Sequence, residues 1–257
     1  MKKKLIILGV FIFVLVSGYI GHKTNLLDNY RVGYSETGKK LIEQFKYSGN
    51  IIEITSDNNL NDDNMLTFKS VMYEKLENGF ELNEERSSSD GFETFETYFL
   101  YDEDSEKHMA VFRVGKSEHT LYSMLVADDV LSFDEKLQNM DRKALLEQNN
   151  VKDDVDILKL VLNNYENNTN FFSSREDLEM DYFIKNIGNT LLPPAKIDFI
   201  DGDLRGYIYT INDNAVREVH LIHNEEDYFF SFINGEDEEY FDLDNIKNFL
   251  NKIKFID

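Results

Sequence analysis

The sequence predicts an α+β protein of two halves, each an antiparallel meander sheet with packed helices, after an N-terminal hydrophobic helix. Three observations support this class. The 257 residues are 42% hydrophobic and 13% aromatic, which supplies enough apolar surface for a packed core. Short apolar runs alternate with polar turns, as in antiparallel sheets. Other segments place apolar residues at helical spacing behind a capping residue.

The N-terminal segment predicts export. Lys2 to Lys4 precede an uncharged apolar run from Leu5 to Gly21. Because positive charges stay in the cytoplasm, the bulk of the chain is predicted to lie outside the cell. The run spans roughly 25 Å as a helix, near the thickness of a bilayer core, so a single-pass anchor in the cell membrane is predicted. Secretion after cleavage before Tyr19 is the alternative, because Val16 and Gly18 suit a signal-peptidase site.

The elements before residue 90 are predicted from caps and short apolar runs. Ser35 is the predicted N-cap of a helix that ends near Gly49. A short strand follows at 50–55. Residues 65–86 fit either a helix or a hairpin, and Asn78-Gly79 favours the hairpin.

The middle of the chain predicts a meander followed by a helix. Ser132 with Glu135 forms a capping box, which marks the start of that helix. The three predicted strands cover 92–101, 107–114 and 119–127.

The second half repeats this order of elements. Two helices are predicted first, and Gly188 and the Pro193-Pro194 pair are expected to prevent their continuation. A second meander and a helix from Asp242 follow. The predicted helices cover 154–165 and 174–187, and the predicted strands cover 206–211, 215–223 and 227–233.

An ungapped alignment at an offset of 108 places Tyr122-Ser123-Met124 on Phe230-Ser231-Phe232 and Phe133-Asp134 on Phe241-Asp242. Either a tandem duplication or two unrelated sheets with similar turns would explain it. The predicted domain organisation is a signal segment at 1–23, a stalk at 24–34, and α+β domains at 35–149 and 150–257.

Composition excludes several classes of function. The chain carries 49 Asp and Glu against 27 Lys and Arg, a formal net charge of −22. Nucleic-acid binding needs clustered basic residues, so no nucleic-acid partner is predicted. The chain has no cysteine, which excludes disulfides, thiol catalysis and thiolate metal sites. The negative field favours a cationic or peptidic partner, although solubility alone also explains it.

Three apparent motifs are interpreted as structural. The segment from Gly33 to Lys39 matches a phosphate loop except at Lys40, and no buried strand precedes it. His220 and His223 are three residues apart on a predicted strand, so they are expected to face opposite sides. The run from Asp201 to Gly206 begins like a calcium loop, but Arg205 occupies a ligand position, so a turn is predicted.

The stretch from Glu218 to Asp244 holds ten acidic residues and no Lys or Arg. Carboxylates in loops bind calcium, and a solvated acidic sheet edge is the simpler alternative. Within this stretch, Tyr228, Phe230 and Phe232 alternate with Phe229 and Ser231, so that strand is interpreted as buried on both sides rather than as an exposed ligand platform.

No catalytic, cofactor-binding or metal-ligating residue is singled out. The sequence lacks the Gly-x-Ser-x-Gly and Ser-x-x-Lys motifs of serine nucleophiles. The composition, rich in lysine, asparagine and isoleucine, is typical of a bacterial protein. The function predicted is therefore non-catalytic binding at the bacterial cell envelope. The alternatives are an extracytoplasmic hydrolase that uses carboxylates and a cation-dependent structural protein of the envelope.

Overall fold

The computed structural model describes most of the chain after the predicted signal segment. No helix among these residues is long and apolar enough to cross a membrane. The N-terminal apolar run and the acidic residues 236–239 lie outside them. The described residues are 26–33, 35–57, 64–76, 79–84, 87–89, 93–101, 108–118, 120–127, 135–166, 169–170, 173–211, 215–235 and 240–256.

The described residues form a mixed α+β structure with two sheets. The helices are α1 Leu26–Gly33, α2 Glu36–Phe45, α3 Leu121–Val126, α4 Glu135–Gln138, α5 Arg142–Gln148, α6 Asp154–Asn164, α7 Arg175–Leu191 and α8 Leu243–Leu250. The strands are β1 Ile51–Ile54, β2 Met65–Phe68, β3 Val71–Glu74, β4 Phe80–Leu82, β5 Ser88–Ser89, β6 Glu93–Tyr101, β7 His108–Ser117, β8 Lys196–Gly202, β9 Gly206–Ile211, β10 Val216–His223, β11 Glu226–Asn234 and β12 Lys254–Phe255.

A nine-stranded sheet has the order β1-β8-β9-β10-β11-β7-β6-β4, with β5 also paired to β6. Its pairs are antiparallel except β1 with β8, which is parallel. The second sheet is small and antiparallel, in the order β12-β3-β2. The predicted α+β class is therefore confirmed.

Strands from both halves of the chain belong to the same large sheet, which differs from the expected pair of separate sheets. The connection is the antiparallel pair β7–β11, in which Phe112 lies opposite Phe232. This pairing is available because β7 has no third meander strand beside it. The two predicted domains thus share a sheet, while the boundary near residue 150 stays a prediction.

The predicted strand at 119–127 is wrong, because most of this segment is helix α3. Distant residues bind both of its ends, in addition to the local N-cap Thr120, whose side chain accepts a hydrogen bond from the backbone N–H of Ser123 at 3.0 Å. At the N-terminus, the Asp154 carboxylate accepts hydrogen bonds from the backbone N–H groups of Leu121 and Tyr122, at 2.8 and 2.7 Å. At the C-terminus, the Arg142 guanidinium donates to the carbonyl of Leu125 at 2.8 Å. Such caps satisfy the end groups of a short helix, whatever its strand propensity.

The tandem duplication is not confirmed by this arrangement. The alignment at an offset of 108 rests on Tyr122-Ser123-Met124 and Phe230-Ser231-Phe232. The first of these lies in helix α3 and the second in strand β11. The aligned residues therefore differ in secondary structure at the best-matching position.

Most other predicted elements are confirmed. Ser35, Ser174 and Asp242 are the N-caps of α2, α7 and α8, and each side-chain oxygen accepts a backbone N–H within its helix. The prediction that Gly188 ends its helix is wrong, because α7 continues to Leu191. Gly188 instead packs against the Tyr165 ring, where a larger side chain would clash. The predicted strands at 206–211, 215–223 and 227–233 correspond to β9, β10 and β11.

Three local predictions need correction. The predicted stalk contains helix α1, which packs on α7 through a 2.7 Å hydrogen bond from Asn29 to Asp181. The hairpin within 65–86 turns at Lys69, which has a positive φ of 52°, and not at Asn78-Gly79. The helix predicted from Ser132 is divided in two, because the Asp141 side chain caps a second helix at Ala144. Residues 131–134 lie outside the described residues.

The large sheet is covered on both faces, and each face has its own apolar cluster. The helical face packs against α2, α3, α5, α6 and α7 through residues such as Phe199 and Phe183. The small-sheet face packs against β2, β3, β12 and α8 around Phe112, whose ring lies 5.4 Å from Phe232 and 5.6 Å from Phe249. The centre of the helical face is polar, and it forms the site described next.

Candidate functional site

A cavity of about 290 Å³ lies on the helical face of the sheet, between β7, β9, β10 and β11 and the helices α3, α6 and α7. We call it the central cavity. Its polar lining consists of Arg113, Ser117, Asp154, Glu218, His220, Asp227 and Ser231. Its apolar and aromatic lining consists of Phe95, Leu121, Met124, Leu191, Tyr207, Tyr209 and Phe229.

The sheet register arranges these side chains in three rows across the strands. Side chains of directly paired residues share a face, so each row faces the helices. The Glu218 row is Tyr209, Glu218, Ser231, Arg113 and Thr97. The His220 row is Tyr207, His220, Phe229, Gly115 and Phe95. The Asp227 row is Ile222, Asp227 and Ser117.

His220 lies between two carboxylates. Its Nδ1 is 2.8 Å from Asp227 Oδ2, and its Nε2 is 2.8 Å from Glu218 Oε1. Burial by itself lowers the pKa of the imidazole, but the charges and hydrogen bonds of Asp227 and Glu218 outweigh burial and raise this pKa to about 10. The ring is therefore an imidazolium at neutral pH.

Neighbouring side chains stabilise the charged form of the His220 ring. Burial raises the pKa of Glu218, but the hydrogen bond and charge of His220 together with the charge of Arg113 and a hydrogen bond from Ser231 outweigh burial, so this pKa is lowered. The Tyr207 ring stacks on the imidazole, with centroids 4.6 Å apart and planes 12° apart. Because both ring nitrogens carry protons that are donated to carboxylates, neither is available as a general base.

Asp154 brings a third carboxylate to the cavity from the first turn of α6. Burial raises the pKa of this carboxyl to about 6, although the two backbone N–H groups of α3 that bind it act in the opposite direction. The carboxylate is thus predominantly ionised at pH 7. Its two oxygens hold the N-terminus of α3 over the cavity, where the helix dipole favours negative charge.

Two buried polar atoms of the cavity have no hydrogen-bond partner among the described residues. One is Oδ1 of Asp227, the acceptor that does not bind His220. The other is Nε of Arg113, a donor. Buried polar atoms in folded proteins are nearly always paired, so this acceptor and this donor are two groups that a ligand or an ordered water would satisfy.

An aromatic surface separates these two atoms. The ring of Phe229 lies directly on Gly115, where an added Cβ would come within 2.2 Å of the ring. Only glycine permits this close approach of the ring to the strand. Phe95 pairs with Gly115 in the same row, and the centre of its ring lies 5.7 Å from the Arg113 guanidinium.

The histidine pair lies as the sequence predicts, on opposite faces of β10. His220 faces the central cavity, whereas His223 stacks on Phe255 of the small sheet, with centroids 4.0 Å apart. The turn after Asp201 holds no calcium-loop geometry, since Arg205 donates hydrogen bonds to Asp153 and Asp156 at the start of α6.

The acidic stretch does not act as one unit in the structure. Glu218 and Asp227 line the central cavity, whereas Glu226 points to the other face and pairs with Lys116 at 2.6 Å. Asp242 caps α8. The acids at 236–239 lie outside the described residues, so the cation-binding hypothesis for them stays a prediction. Within the part of the chain that the structure covers, no group of three metal-ligating side chains is suitably placed for an ion.

The sequence analysis did not single out Arg113 or Asp154 and did not connect His220 with its carboxylates. One local signal existed for the latter. Glu218 and His220 are two apart on a strand and so share a face, and a two-residue turn at Asn224-Glu225 returns Asp227 to a position diagonal to His220. Arg113 and Asp154 are brought in from distant segments and had no such signal.

Comparison with known proteins gives no relative. No protein-family model, no curated protein and no solved structure matches the chain.

Proposed function

We propose that the protein is a non-catalytic binding protein at the bacterial cell envelope, which recognises a cationic or peptidic partner in the central cavity. The observation that carries the proposal is the unpartnered Oδ1 of Asp227. This residue is 4% exposed, and a buried carboxylate oxygen without a donor is a costly arrangement that a ligand N–H group relieves.

The charges of the cavity favour a ligand with a positive group. Three carboxylates, those of Asp154, Glu218 and Asp227, line it against the two cations Arg113 and His220. The excess is negative, in line with the whole chain. The volume of about 290 Å³ is at the lower end of the range for small-molecule pockets, so the cavity accommodates one small molecule or one peptide end.

The geometry favours binding over hydrolysis. In a carboxylate hydrolase one acid must be able to donate a proton and the other to activate water or attack. Here Glu218 and Asp227 both accept from a His220 ring that is charged at neutral pH, and Asp154 accepts from two backbone N–H groups of a helix. Each carboxylate thus has a structural hydrogen-bond partner, which supports the binding proposal over the hydrolase alternative.

The envelope location is part of the proposal and has its own test. A reporter that is active only outside the cytoplasm, fused after Asp257, is expected to be active, because Lys2 to Lys4 keep the N-terminus inside. A cytoplasm-active reporter at the same site is the control and is expected to be silent. The reverse pattern would contradict export. Mass spectrometry of the mature N-terminus separates the anchor from a secreted chain that starts at Tyr19.

Binding is tested with two simple cationic probes, putrescine and a trilysine peptide. By mass action, a probe at a hundred times its dissociation constant stabilises the native state by about 2.7 kcal/mol, which raises the thermal midpoint. We expect at least one probe to stabilise the wild type. The Asp227→Asn variant is expected to bind it about tenfold or more weakly, since a charge-assisted hydrogen bond is lost.

The neighbouring acid Glu226 provides a matched control. The Glu226→Gln variant removes the same charge one residue away on the opposite face of β11. It is expected to keep the probe affinity of the wild type. Equal losses in both variants would show that only the general negative field attracts the probe, and the cavity would be excluded as the site.

A further inference from the structure

We infer that the ligand of the central cavity is a zwitterion of about the length of a dipeptide, with its ammonium group at Asp227 and its carboxylate at Arg113. This inference rests on the proposed binding function and adds the class of ligand. It follows from the second unpartnered atom of the cavity, which a purely cationic ligand leaves unexplained.

The first step concerns Arg113. Its Nε is buried and has no hydrogen-bond partner among the described residues. A guanidinium presents its N–H donors in a planar fork that matches a carboxylate. The nearest carboxylate in its own row, Glu218, already binds His220. A ligand carboxylate would therefore supply the acceptor that the protein itself does not.

The second step concerns charge. A ligand with positive charge alone satisfies only one of the two unpaired atoms. Such a ligand satisfies Asp227 but leaves the buried donor of Arg113 unpaired. A zwitterion satisfies both unpaired atoms and adds no net charge.

The third step concerns length. Asp227 leans from its own row toward His220, to which it is hydrogen-bonded at 2.8 Å. Arg113 leans toward the same row from the other side, since its guanidinium lies 5.7 Å from the ring of Phe95. The rows of Arg113 and Asp227 are not neighbours, because Arg113 pairs with Ser231 and Asp227 is four residues from Ser231 along β11, roughly 13 Å. Both side chains extend into the row between them, which shortens the gap between their charged groups. Two residues of extended peptide span roughly 7 Å and suit this shortened gap, whereas the two charged groups of a single α-amino acid are attached to one carbon.

The surface between the two charged groups suits the middle of such a ligand. It is formed by the Phe229 ring on Gly115, with Phe95 beside it. Small apolar side chains and the flat peptide group pack on an aromatic face without needing further polar partners. An extended dipeptide lying across the His220 row would therefore contact apolar surface between its ends.

The experiment compares three forms of one dipeptide by isothermal titration calorimetry with the full chain. The probes are L-alanyl-L-alanine, its C-terminal amide, which keeps only the ammonium, and its N-acetyl derivative, which keeps only the carboxylate. We expect the unmodified dipeptide to bind at least tenfold more tightly than either derivative.

The Arg113→Gln variant identifies the carboxylate partner. It is expected to lose the preference for the unmodified dipeptide over the amide, so that both bind alike. Lys116→Gln is the matched control, since Lys116 is three residues along β7 on the opposite face, and it should retain the tenfold preference. If Arg113→Gln shows no unfolding transition, it has failed to fold, and Arg113→Lys replaces it. The lysine keeps the positive charge but not the planar fork of donors, so this variant is expected to weaken the preference for the unmodified dipeptide over the amide.

Each outcome decides between the two proposals. If the wild type binds the amide as tightly as the unmodified dipeptide, the zwitterion proposal is wrong and the proposal of a cationic ligand is kept. Tight binding of the N-acetyl derivative alone would overturn both. Absence of binding for all three would overturn the zwitterion, and the putrescine and trilysine titrations would then decide the binding function on their own.

Discussion

Replacing His220 with alanine is expected to destabilise the protein more than any other single change at the central cavity, by about 3 to 5 kcal/mol. The substitution leaves the carboxylates of Glu218 and Asp227 without their shared cation. Asp227 is 4% exposed, and the Glu218 side chain is 35% exposed. Two uncompensated like charges in a buried site are unfavourable, and the lost ring also leaves a cavity beside Tyr207.

Urea unfolding followed by circular dichroism measures this loss at pH 7. The control is His223→Ala on the same strand, which removes a partly exposed ring from the other face and is expected to cost about 1 kcal/mol. In a Glu218→Gln, Asp227→Asn background, His220→Ala should lower the free energy of unfolding by less than half as much, because that background no longer carries the two carboxylate charges. An undiminished effect there would show that packing, not charge, dominates.

The pH dependence of stability gives a second measurement on His220. The folded pKa of about 10 lies above the ordinary value of 6.5, so the folded state binds the proton more tightly. Its contribution is fully present below pH 6.5 and is lost as the pH rises through about 10. Asp154, with a folded pKa of about 6, acts in the same direction over a lower range, between its ordinary value of 3.8 and about 6.

The other titratable groups that face His220 are Glu218, Asp227, Tyr207 and Tyr209. Burial raises the pKa of both tyrosines, so they stay neutral over the window from pH 6.5 to 10. The wild type is therefore expected to lose stability steadily across this window, and the His220→Ala variant is expected to lose much less. Parallel curves for the two proteins would contradict the assignment of the imidazolium.

Replacing Asp154 with alanine is expected to lower the free energy of unfolding by about 2 to 4 kcal/mol. Its carboxylate accepts from the backbone N–H groups of Leu121 and Tyr122, and the residue is 1% exposed. Without it, two N–H groups at the start of α3 lose a charged acceptor in a site that is largely closed to water. Helix α3 covers the central cavity through Leu121 and Met124, so its N-terminus should also become more dynamic.

A graded series checks this assignment. Asp154→Asn keeps one acceptor oxygen and is expected to fall between the wild type and Asp154→Ala in denaturant unfolding. Hydrogen exchange of the Leu121 and Tyr122 amides should follow the same order. Asp244→Ala is the control, since Asp244 is in the first turn of α8 with its side chain 88% exposed, and a change within about 0.5 kcal/mol is expected. A similar loss in that control would argue against a specific cap.

Local features of the sequence determined those elements for which the capping residue and the apolar spacing predict the same secondary structure. The side chains of Ser35, Ser174 and Asp242 each accept a hydrogen bond from the backbone N–H three residues later in the chain. These N-caps therefore need no distant partner. The hairpin of β10 and β11 is also local, because its strands alternate regularly and its turn spans only Asn224 and Glu225. The α+β class followed from these elements.

The tertiary structure decided the features that depend on residues far apart in the chain. Residues 121–126 have a local N-cap in Thr120, and distant residues also bind both ends of this helix. Asp154, 33 positions from Leu121, binds the N-terminus of α3, and Arg142 binds its C-terminus. As a helix, this segment does not pair with β7, which pairs with β11 and so joins the two halves in one sheet. That pairing places Arg113 beside Ser231 in the Glu218 row and so completes the central cavity. Periodicity and capping report only on neighbours within one or two turns, and they contain no information about such contacts.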